Sequence, residues 1–217
     1  MEEDAGKSIH DLDPFYSLID LNRAGVPLLE IVSEPELRSA EEAYAYLYQI
    51  RKLVRYLDIS NGNMEEGSLR CDANISVRPK GSEKLRNRVE VKNINSLKNV
   101  MKAIQLESKR QIKAYSNNMD VDQETRNYNA ATNTTTILRS KEEAHDYRYF
   151  TEPDIPPVII KKEIINRIKK DMPALPKERY IKYTKKYKLS DYDANLLTDN
   201  KDFSDLFNKI IEHTRKY

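Results

Sequence analysis

Residues 64–78 read MEEGSLRCDANISVR, and this stretch decides the fold around it. Its apolar residues alternate without a break with polar ones; they are Leu69, Cys71, Ala73, Ile75 and Val77. Because successive side chains of a strand point to opposite faces of a sheet, the alternation predicts a half-buried strand. The polar side carries short acceptors beside arginines, after an acidic pair, where an ordinary surface would carry lysine and glutamate. It therefore predicts one wall of a site for a metal ion or a phosphate.

A second alternating segment lies further along the chain. Residues 88–92 predict a strand that pairs antiparallel with the first. That pairing would place Glu90 and Lys92 beside Arg70 and Asp72, on the polar face of the sheet.

Two helices and a hairpin are predicted around these strands. Serine caps and helical spacing of apolar residues predict helices over residues 40–57 and 97–115, the second with Ile112 on its inner side. Residues 121–139 predict a polar β-hairpin. Together these elements predict an α+β fold with a mainly antiparallel sheet and flanking helices.

The N-terminal region contains two apolar runs on either side of an Asn-Arg-Ala-Gly turn. This pattern, over residues 14–34, predicts a second β-hairpin. Glu30 interrupts the second run, and an unpaired buried carboxylate would cost several kcal/mol. The sequence therefore predicts a partner for Glu30, either a metal ion or a buried arginine.

A proline-rich segment over residues 153–157 predicts a domain boundary. Short helices are predicted beyond it, over residues 161–171, 177–187, 191–197 and 202–216. The chain therefore divides into a first domain over residues 1–157 and the start of a small all-helical domain over residues 158–217.

Composition narrows the class of protein. The chain has 217 residues, of which 33% are charged, and its formal net charge is +2. It has no apolar run near the ~20 residues that a bilayer crossing needs. The single Cys71 excludes an intramolecular disulfide and favours a reducing compartment. Its position among the apolar residues of the strand indicates a small buried hydrophobe rather than a reactive thiol.

The acidic residues near the N-terminus are candidate metal ligands. Glu2, Glu3 and Asp4, together with Glu30, supply the hard oxygen ligands that Mg²⁺ prefers. In a strand Glu2 and Glu3 point to opposite faces, so at most one of them serves a given site. The alternative is a surface acidic run with Glu30 in a salt bridge.

Any nucleotide would have to be held without a phosphate loop. The sequence contains no glycine-rich phosphate-binding motif and has only five glycines. Side chains and a metal would take that role, and guanidinium and ammonium groups are candidates for phosphate contacts; those in the strand region are Arg70, Arg78, Arg88 and Lys92. The alternative is that these cations form cross-strand pairs with Glu66, Asp72 and Glu90.

Five segments in order resemble the GatB/GatE family, whose GatB members belong to the tRNA-dependent amidotransferases. The segments are residues 1–7, 20–35, 64–76, 90–96 and 139–150. The resemblance extends from residue 1 to about residue 200. It implies that the first domain is the later part of the family's cradle-shaped kinase and transamidase domain.

The resemblance also implies an activity. Members of that family form a carbon–nitrogen ligase that converts Glu-tRNA(Gln) to Gln-tRNA(Gln) and Asp-tRNA(Asn) to Asn-tRNA(Asn). ATP phosphorylates the side-chain carboxyl of the mischarged residue, and ammonia from glutamine then displaces the phosphate. The implied cofactors are ATP and Mg²⁺. The implied partners are an amidase subunit (GatA) and a small subunit (GatC) in a heterotrimer, in the cytoplasm or an organelle matrix, with no membrane.

Individual positions match the family's motifs. Glu3 and Glu30 match its Mg²⁺ ligands. Ser33, Arg70, Asp72 and Lys92 lie in matching motifs and are candidates for contact with the nucleotide or the tRNA acceptor end. No catalytic side chain is assigned, because phosphoryl transfer depends on positioning and charge neutralisation more than on a nucleophile.

Departures from the family indicate a fragment. Family members begin with a strand whose Glu and His complete the metal site, and they end with an RNA-binding tail domain. Neither is present in this sequence, so we expect the fragment alone to be inactive. Two other interpretations remain open: a non-catalytic tRNA-binding or scaffold module, and the archaeal-type paralogue GatE.

Overall fold

A computed structural model describes residues 2–10, 12–140 and 159–214. The chain forms two compact units, Met1–Leu37 and Arg38–Tyr217. The motif over residues 139–150 lies largely outside the described residues. The boundary expected near residue 157 also lies outside them, so the predicted domain division stays a prediction.

The first unit is built from two short antiparallel ladders. Its strands are β1 (Glu2–Glu3), β2 (Lys7–Ile9), β3 (Leu18–Asp20) and β4 (Pro27–Leu28). Strand β1 pairs with β4, and β2 pairs with β3. The described residues of this unit are all exposed or half-buried.

The N-terminal hairpin predicted over residues 14–34 is wrong in its pairing. The turn itself forms, with the Ala24 amide donating to the Leu21 carbonyl (3.1 Å). The groups after the turn are taken by Asp4, whose carbonyl accepts from the Gly25 amide (3.0 Å) and whose amide donates to Val26 (2.9 Å). Because each backbone group is satisfied by the N-terminal segment, β4 pairs with β1 instead of β3.

The second unit contains a four-stranded sheet with helices. Its elements in chain order are α1 (Ala40–Tyr56), β5 (Cys71–Ile75), β6 (Val89–Ile94), α2 (Leu97–Ser116), β7 (Glu124–Asn129), β8 (Thr134–Ser140), α3 (Lys162–Asp171), α4 (Pro176–Lys185), α5 (Asp191–Asp199) and α6 (Lys201–Thr214). The sheet order is β5-β6-β7-β8. The predicted helices and the second hairpin are therefore confirmed within the described residues.

The sheet is mixed rather than wholly antiparallel. The β5–β6 and β7–β8 pairs are antiparallel, as predicted, but β6 and β7 are parallel. Helix α2 connects these two strands, and a crossover of this kind returns the chain in the same direction. The fold class is α+β, with helices beside a mixed sheet.

Strand β5 is shorter than the alternation over residues 69–77 predicts. Gln111 of α2 accounts for its end, since its side-chain amide donates to the Ile75 carbonyl (3.0 Å) and its oxygen accepts from the Val77 amide (3.1 Å). These side-chain bonds replace the next rung of the ladder. Gln111 is fully buried, whereas Ile112, predicted on the inner side, is 54% exposed.

One face of the sheet packs against α2, and α1 packs on α2 and adds Leu47 to the same core. Apolar side chains from the strands and both helices form this core: Leu47, Ala73, Ile75, Val89, Val91, Ile94, Leu97, Val100, Ala103 and Tyr128. Below β7 the same layer holds ion pairs. Glu107 is fully buried and binds Arg110 through two hydrogen bonds (2.8 Å each), and Glu124 binds Arg126 (2.6 Å).

Helices α4, α5 and α6 pack together and contact α1. The Tyr183 hydroxyl lies 2.7 Å from the Ser204 hydroxyl, and the Tyr56 hydroxyl of α1 donates to the Thr198 carbonyl (2.8 Å). Helix α3 has no buried residue. Among the described helices, none has the length and apolar character needed to cross a bilayer.

Candidate functional site

The strand alternation leaves a polar face on the sheet, opposite the side packed by α2. We call it the outer face and define it by the residues that point away from the core: Asp72, Asn74, Glu90, Lys92, Thr125 and Asn127. Three strands contribute to it, because Asn74 is paired with Glu90 and Glu90 with Thr125. The structure confirms the predicted placement of Asp72, Glu90 and Lys92 on one face, whereas Arg70 precedes β5 and is not part of this face.

Lys92 lies at the centre of the outer face. Its ammonium contacts the Asp72 carboxylate closely and lies 3.1 Å from the nearer Glu90 oxygen. The Lys92 side chain remains about a third exposed, at 32%. The cation therefore stays accessible to a further anionic group while two carboxylates hold it.

The charge state of Lys92 is set by opposing effects. Partial burial acts to lower the pKa of the ammonium, but the hydrogen bond and charge of Asp72, joined by those of Glu90, raise the pKa above its ordinary value. Lys92 is therefore a permanent cation at neutral pH. It can bind a phosphate or carboxylate but cannot act as a general base there.

Glu90 is the more enclosed of the two carboxylates. Its side chain is 16% exposed, against 43% for Asp72. The Thr125 hydroxyl, on the neighbouring strand β7, donates to the other Glu90 oxygen (3.0 Å). Glu90 thus links two strands through one side chain.

Two of the candidate arginines lie near the ends of β5, and the third, Arg88, is exposed and directly precedes β6. Arg70 precedes the strand and is exposed. Arg78 follows it and donates to the Glu83 carbonyl within the loop between β5 and β6. Of the cations predicted from the sequence, Lys92 is the one that the structure brings onto the outer face with Asp72, and the two form the cross-strand pair that the alternative interpretation describes.

Cys71 lies on the core side of the same strand, as predicted. Burial, with a smaller contribution from the Asp72 charge, raises the pKa of its thiol to about 11. A thiol with this pKa is protonated at neutral pH and a poor nucleophile. The structure confirms that Cys71 is a packing residue.

In the first unit, Glu3 is exposed and lies over Gly25. A Cβ atom at Gly25 would lie 3.3 Å from Glu3 Oε1, and Gly25 has a φ of +79°. The adjacent Asp4 is paired with Arg23 (2.7 Å). A glycine at position 25 therefore leaves room for the Glu3 carboxylate, while Asp4 has a structural partner.

Glu30 does not lie inside a strand, so the predicted buried carboxylate is wrong. Strand β4 ends at Leu28, and Glu30 is exposed together with its apolar neighbours Leu29 (57%) and Ile31 (50%). Ser33 is also exposed and follows the last strand of this unit. An exposed Glu30 carries no burial penalty, so its need for a partner cannot be argued from energetics.

The fit of Mg²⁺ to these residues rests on donor chemistry. Glu3 and Glu30 offer exposed carboxylate oxygens, and Mg²⁺ is commonly bound through one or two carboxylates, several waters and substrate phosphates. Within the described residues, no group of three or more His, Cys, Asp or Glu side chains could hold a metal ion. The two carboxylates can supply part of a magnesium site but not a complete protein cage.

Thr125 is the residue of the outer face that the sequence reasoning missed. It is fully buried and lies in the segment Glu124-Thr125-Arg126, whose charged neighbours point to the core side. The alternation in β7 indicates that Thr125 lies on the face opposite Glu124 and Arg126. Only the parallel pairing of β6 with β7 places Thr125 beside Glu90.

Comparisons of the chain with a family model and with individual proteins point to the same family. Residues 1–166 match the family model described as the GatB/GatE catalytic domain. The chain is 51% identical over 212 residues to the B subunit of the aspartyl/glutamyl-tRNA(Asn/Gln) amidotransferase of Thermodesulfovibrio yellowstonii, covering 98% of this chain and 44% of that protein. It is 50% identical over 209 residues to the corresponding B subunit of Rickettsia typhi, covering 96% and 43% respectively. The chain therefore spans less than half the length of these relatives.

Proposed function

The chain belongs to the GatB/GatE family, and on this basis we propose that it is part of an ATP- and Mg²⁺-dependent ligase that amidates Glu-tRNA(Gln), Asp-tRNA(Asn) or both. The observation that carries the proposal is the family match over residues 1–166, which includes every candidate site residue. The relatives named above are B subunits of an amidotransferase, which favours GatB over the GatE paralogue. The proposed partners are an amidase subunit and a small subunit, and the proposed compartment is the cytoplasm.

The proposed reaction has two steps. A side-chain carboxylate oxygen of the aminoacyl-tRNA attacks the γ-phosphorus of ATP, and the bond to the bridging oxygen breaks to release ADP. Ammonia derived from glutamine then attacks the acyl carbon, and inorganic phosphate leaves with the acyl-phosphate oxygen. The first step brings two negatively charged groups together, and in the second step negative charge leaves with the phosphate, so charge neutralisation and positioning are the main demands on the protein.

The residues of the second unit meet part of this demand. We propose that Lys92 contacts an anionic oxygen of the nucleotide or of the aminoacyl group, because its ammonium is permanently charged and a third exposed. Arg70, directly before β5, is a further candidate for such a contact, and Asp72 is a candidate to accept a hydrogen bond from the nucleotide or the acceptor end or to be displaced from Lys92. A lysine ammonium suits this role as a compact point charge.

The residues of the first unit are proposed to hold Mg²⁺. Glu3 and Glu30 are the proposed ligands, and Ser33 is a candidate for contact with the nucleotide. When bound, Mg²⁺ would neutralise charge on the phosphate oxygens.

The metal assignment is tested with Glu30→Gln in the complete protein, assembled with its partner subunits. We expect the variant to lose ATP-dependent phosphorylation of the aminoacyl carboxylate while its affinity for tRNA is retained. Glu36→Gln is the matched control, since Glu36 is an exposed carboxylate of the same unit outside the candidate set. Unchanged transamidation by Glu30→Gln would show that Glu30 is not a metal ligand.

A second function is favoured by the basic helix α3. It carries Lys162, Lys169 and Lys170 and buries none of its residues, as an RNA-contacting helix would. A non-catalytic tRNA-binding module would bind tRNA through such helices and use the acidic residues only for structure. If the chain is such a module, Glu30→Gln and the parent protein should behave alike in every assay, including transamidation.

A further inference from the structure

The two carboxylates that hold Lys92 are held in different ways. Glu90 is mostly enclosed, and its second oxygen is fixed by the Thr125 hydroxyl at 3.0 Å. Asp72 is the more exposed, at 43%, and lies within the register irregularity of β5 between Cys71 and Ala73. Glu90 is thus a fixed partner of Lys92, and Asp72 is a partner from a locally irregular part of the strand.

Thr125 itself is inaccessible to a ligand. It is fully buried between β6 and β8, and its hydroxyl donates to Glu90. Any influence of Thr125 on a reacting group must therefore pass through Glu90 and then through Lys92. The three side chains form a line of polar contacts from β7 to β6.

A lysine needs such a support to bind an anion in a defined place. Its long flexible stem allows many positions of the ammonium, and ordering it costs side-chain entropy. The 3.1 Å contact with Glu90 restricts the ammonium before a ligand arrives. Preorganisation of this kind improves binding because the ordering cost is already met in the free protein.

We infer that Thr125 and Glu90 are positioning residues that hold the Lys92 ammonium toward an anionic group, and that Asp72 is the exchangeable partner whose place an incoming phosphate oxygen takes. Thr125 orients the Glu90 carboxylate, and Glu90 orients Lys92. The identity of the anion as a phosphate of ATP rests on the proposed function.

Thr125 allows a test without any change of charge. Thr125→Val keeps the branched shape and removes the hydroxyl, whereas Thr125→Ser keeps the hydroxyl and removes a methyl group. We expect Thr125→Val to raise both the Kd of Mg²⁺-ATP, measured by titration calorimetry, and the KM for ATP by about fivefold, because part of the cost of ordering Glu90 and Lys92 must then be met when ATP binds. The kcat should change by less than about twofold, because Lys92 remains present.

Thr125→Ser separates positioning from packing. We expect it to restore the Kd and the KM for ATP to within about twofold of the parent values. If valine and serine weaken ATP binding equally, the shape of residue 125 rather than its hydroxyl matters, and the inference is wrong. An unchanged Kd in Thr125→Val would also overturn it.

Asp72→Asn tests the exchange. Removing the competing carboxylate should lower the Kd of Mg²⁺-ATP several-fold, and a higher Kd would overturn the exchangeable role of Asp72. The binding arm is independent of turnover, so it stands even if the parent complex fails to amidate tRNA, which would count against the proposed function. A parent complex that amidates tRNA while Thr125→Val binds ATP normally would count against this inference alone.

Discussion

Substitution of Glu107 should lower the free energy of unfolding more than most single substitutions in the chain. Its carboxylate is fully buried below the sheet and accepts two hydrogen bonds from Arg110 (2.8 Å each) and one from Gln111 (2.8 Å). Arg126 lies 3.8 Å from the same carboxylate. The change Glu107→Gln keeps the size of the side chain but removes its charge and turns one end from an acceptor into a donor.

The expected cost follows from the partners left behind. The hydrogen bond to Glu107 is the main cause that raises the pKa of Arg110, and burial of Arg110 acts in the opposite direction. After the substitution one guanidinium N–H group of Arg110 faces an amide donor, and among the described residues Glu124 is the remaining carboxylate paired with both Arg110 and Arg126. Breaking a buried pair in this way typically costs about 3–5 kcal/mol. We expect about 3 kcal/mol, because the Arg110 side chain is 34% exposed and can partly recover solvation.

Urea unfolding followed by far-UV circular dichroism measures this free energy. The matched control is Glu41→Gln, because Glu41 is an exposed helical carboxylate that accepts one hydrogen bond from Gln105 (2.9 Å). The control should change the free energy of unfolding by no more than about 0.5 kcal/mol. If Glu107→Gln also costs less than about 1 kcal/mol, the buried ion pairs do not stabilise the layer between α2 and β7.

The remaining predictions concern Gly25, Cys71 and Tyr48. Gly25→Ala forces an alanine to φ +79° with its Cβ 3.3 Å from Glu3 Oε1. The substitution should therefore raise the Mg²⁺ concentration needed for half-maximal activity of the complete complex. The control is Gly81→Ala, which has a φ of +87° but open space around it and should leave that concentration unchanged. Cys71 has its thiol pKa raised to about 11, so iodoacetamide at pH 8 should alkylate it roughly a hundredfold more slowly in the folded chain than in urea, and equal rates would show an accessible thiolate. Burial, together with the Asp199 hydrogen bond, raises the pKa of Tyr48 to about 12. Because the folded state retains this proton, the stabilisation is complete below about pH 10 and is lost as pH rises toward 12. Tyr48→Phe should therefore lose less stability than the parent over that range in pH-dependent urea unfolding.

Local patterns were sufficient to predict the elements of the second unit. The cap at Ser39, where the hydroxyl accepts from the Glu42 amide (3.0 Å), and the matching cap at Ser96 define both long helices. The alternation over residues 69–77 predicted which side chains of β5 face the core. These features depend on short-range periodicity, which the sequence displays directly.

Features that depend on distant partners were not predictable in the same way. The parallel β6–β7 pairing brings Thr125 to Glu90, and Gln111 ends β5 from the next helix. In the first unit, Asp4 takes the backbone groups that the predicted hairpin needed. In each case several pairing partners have similar local propensity, and tertiary contacts determine which of them pairs.

The most direct test of the proposed activity is conversion of Glu-tRNA(Gln) by the complete protein assembled with the proposed amidase and small subunits. The aminoacyl group is radiolabelled, and the products are separated after release from the tRNA. We predict that Gln-tRNA(Gln) forms only when ATP, Mg²⁺ and glutamine are all present, with one ADP released for each amide formed, and that Asp-tRNA(Asn) gives the same result if both substrates are used. Tight binding of both tRNAs without any amide product would contradict the proposed ligase and support a non-catalytic tRNA-binding module.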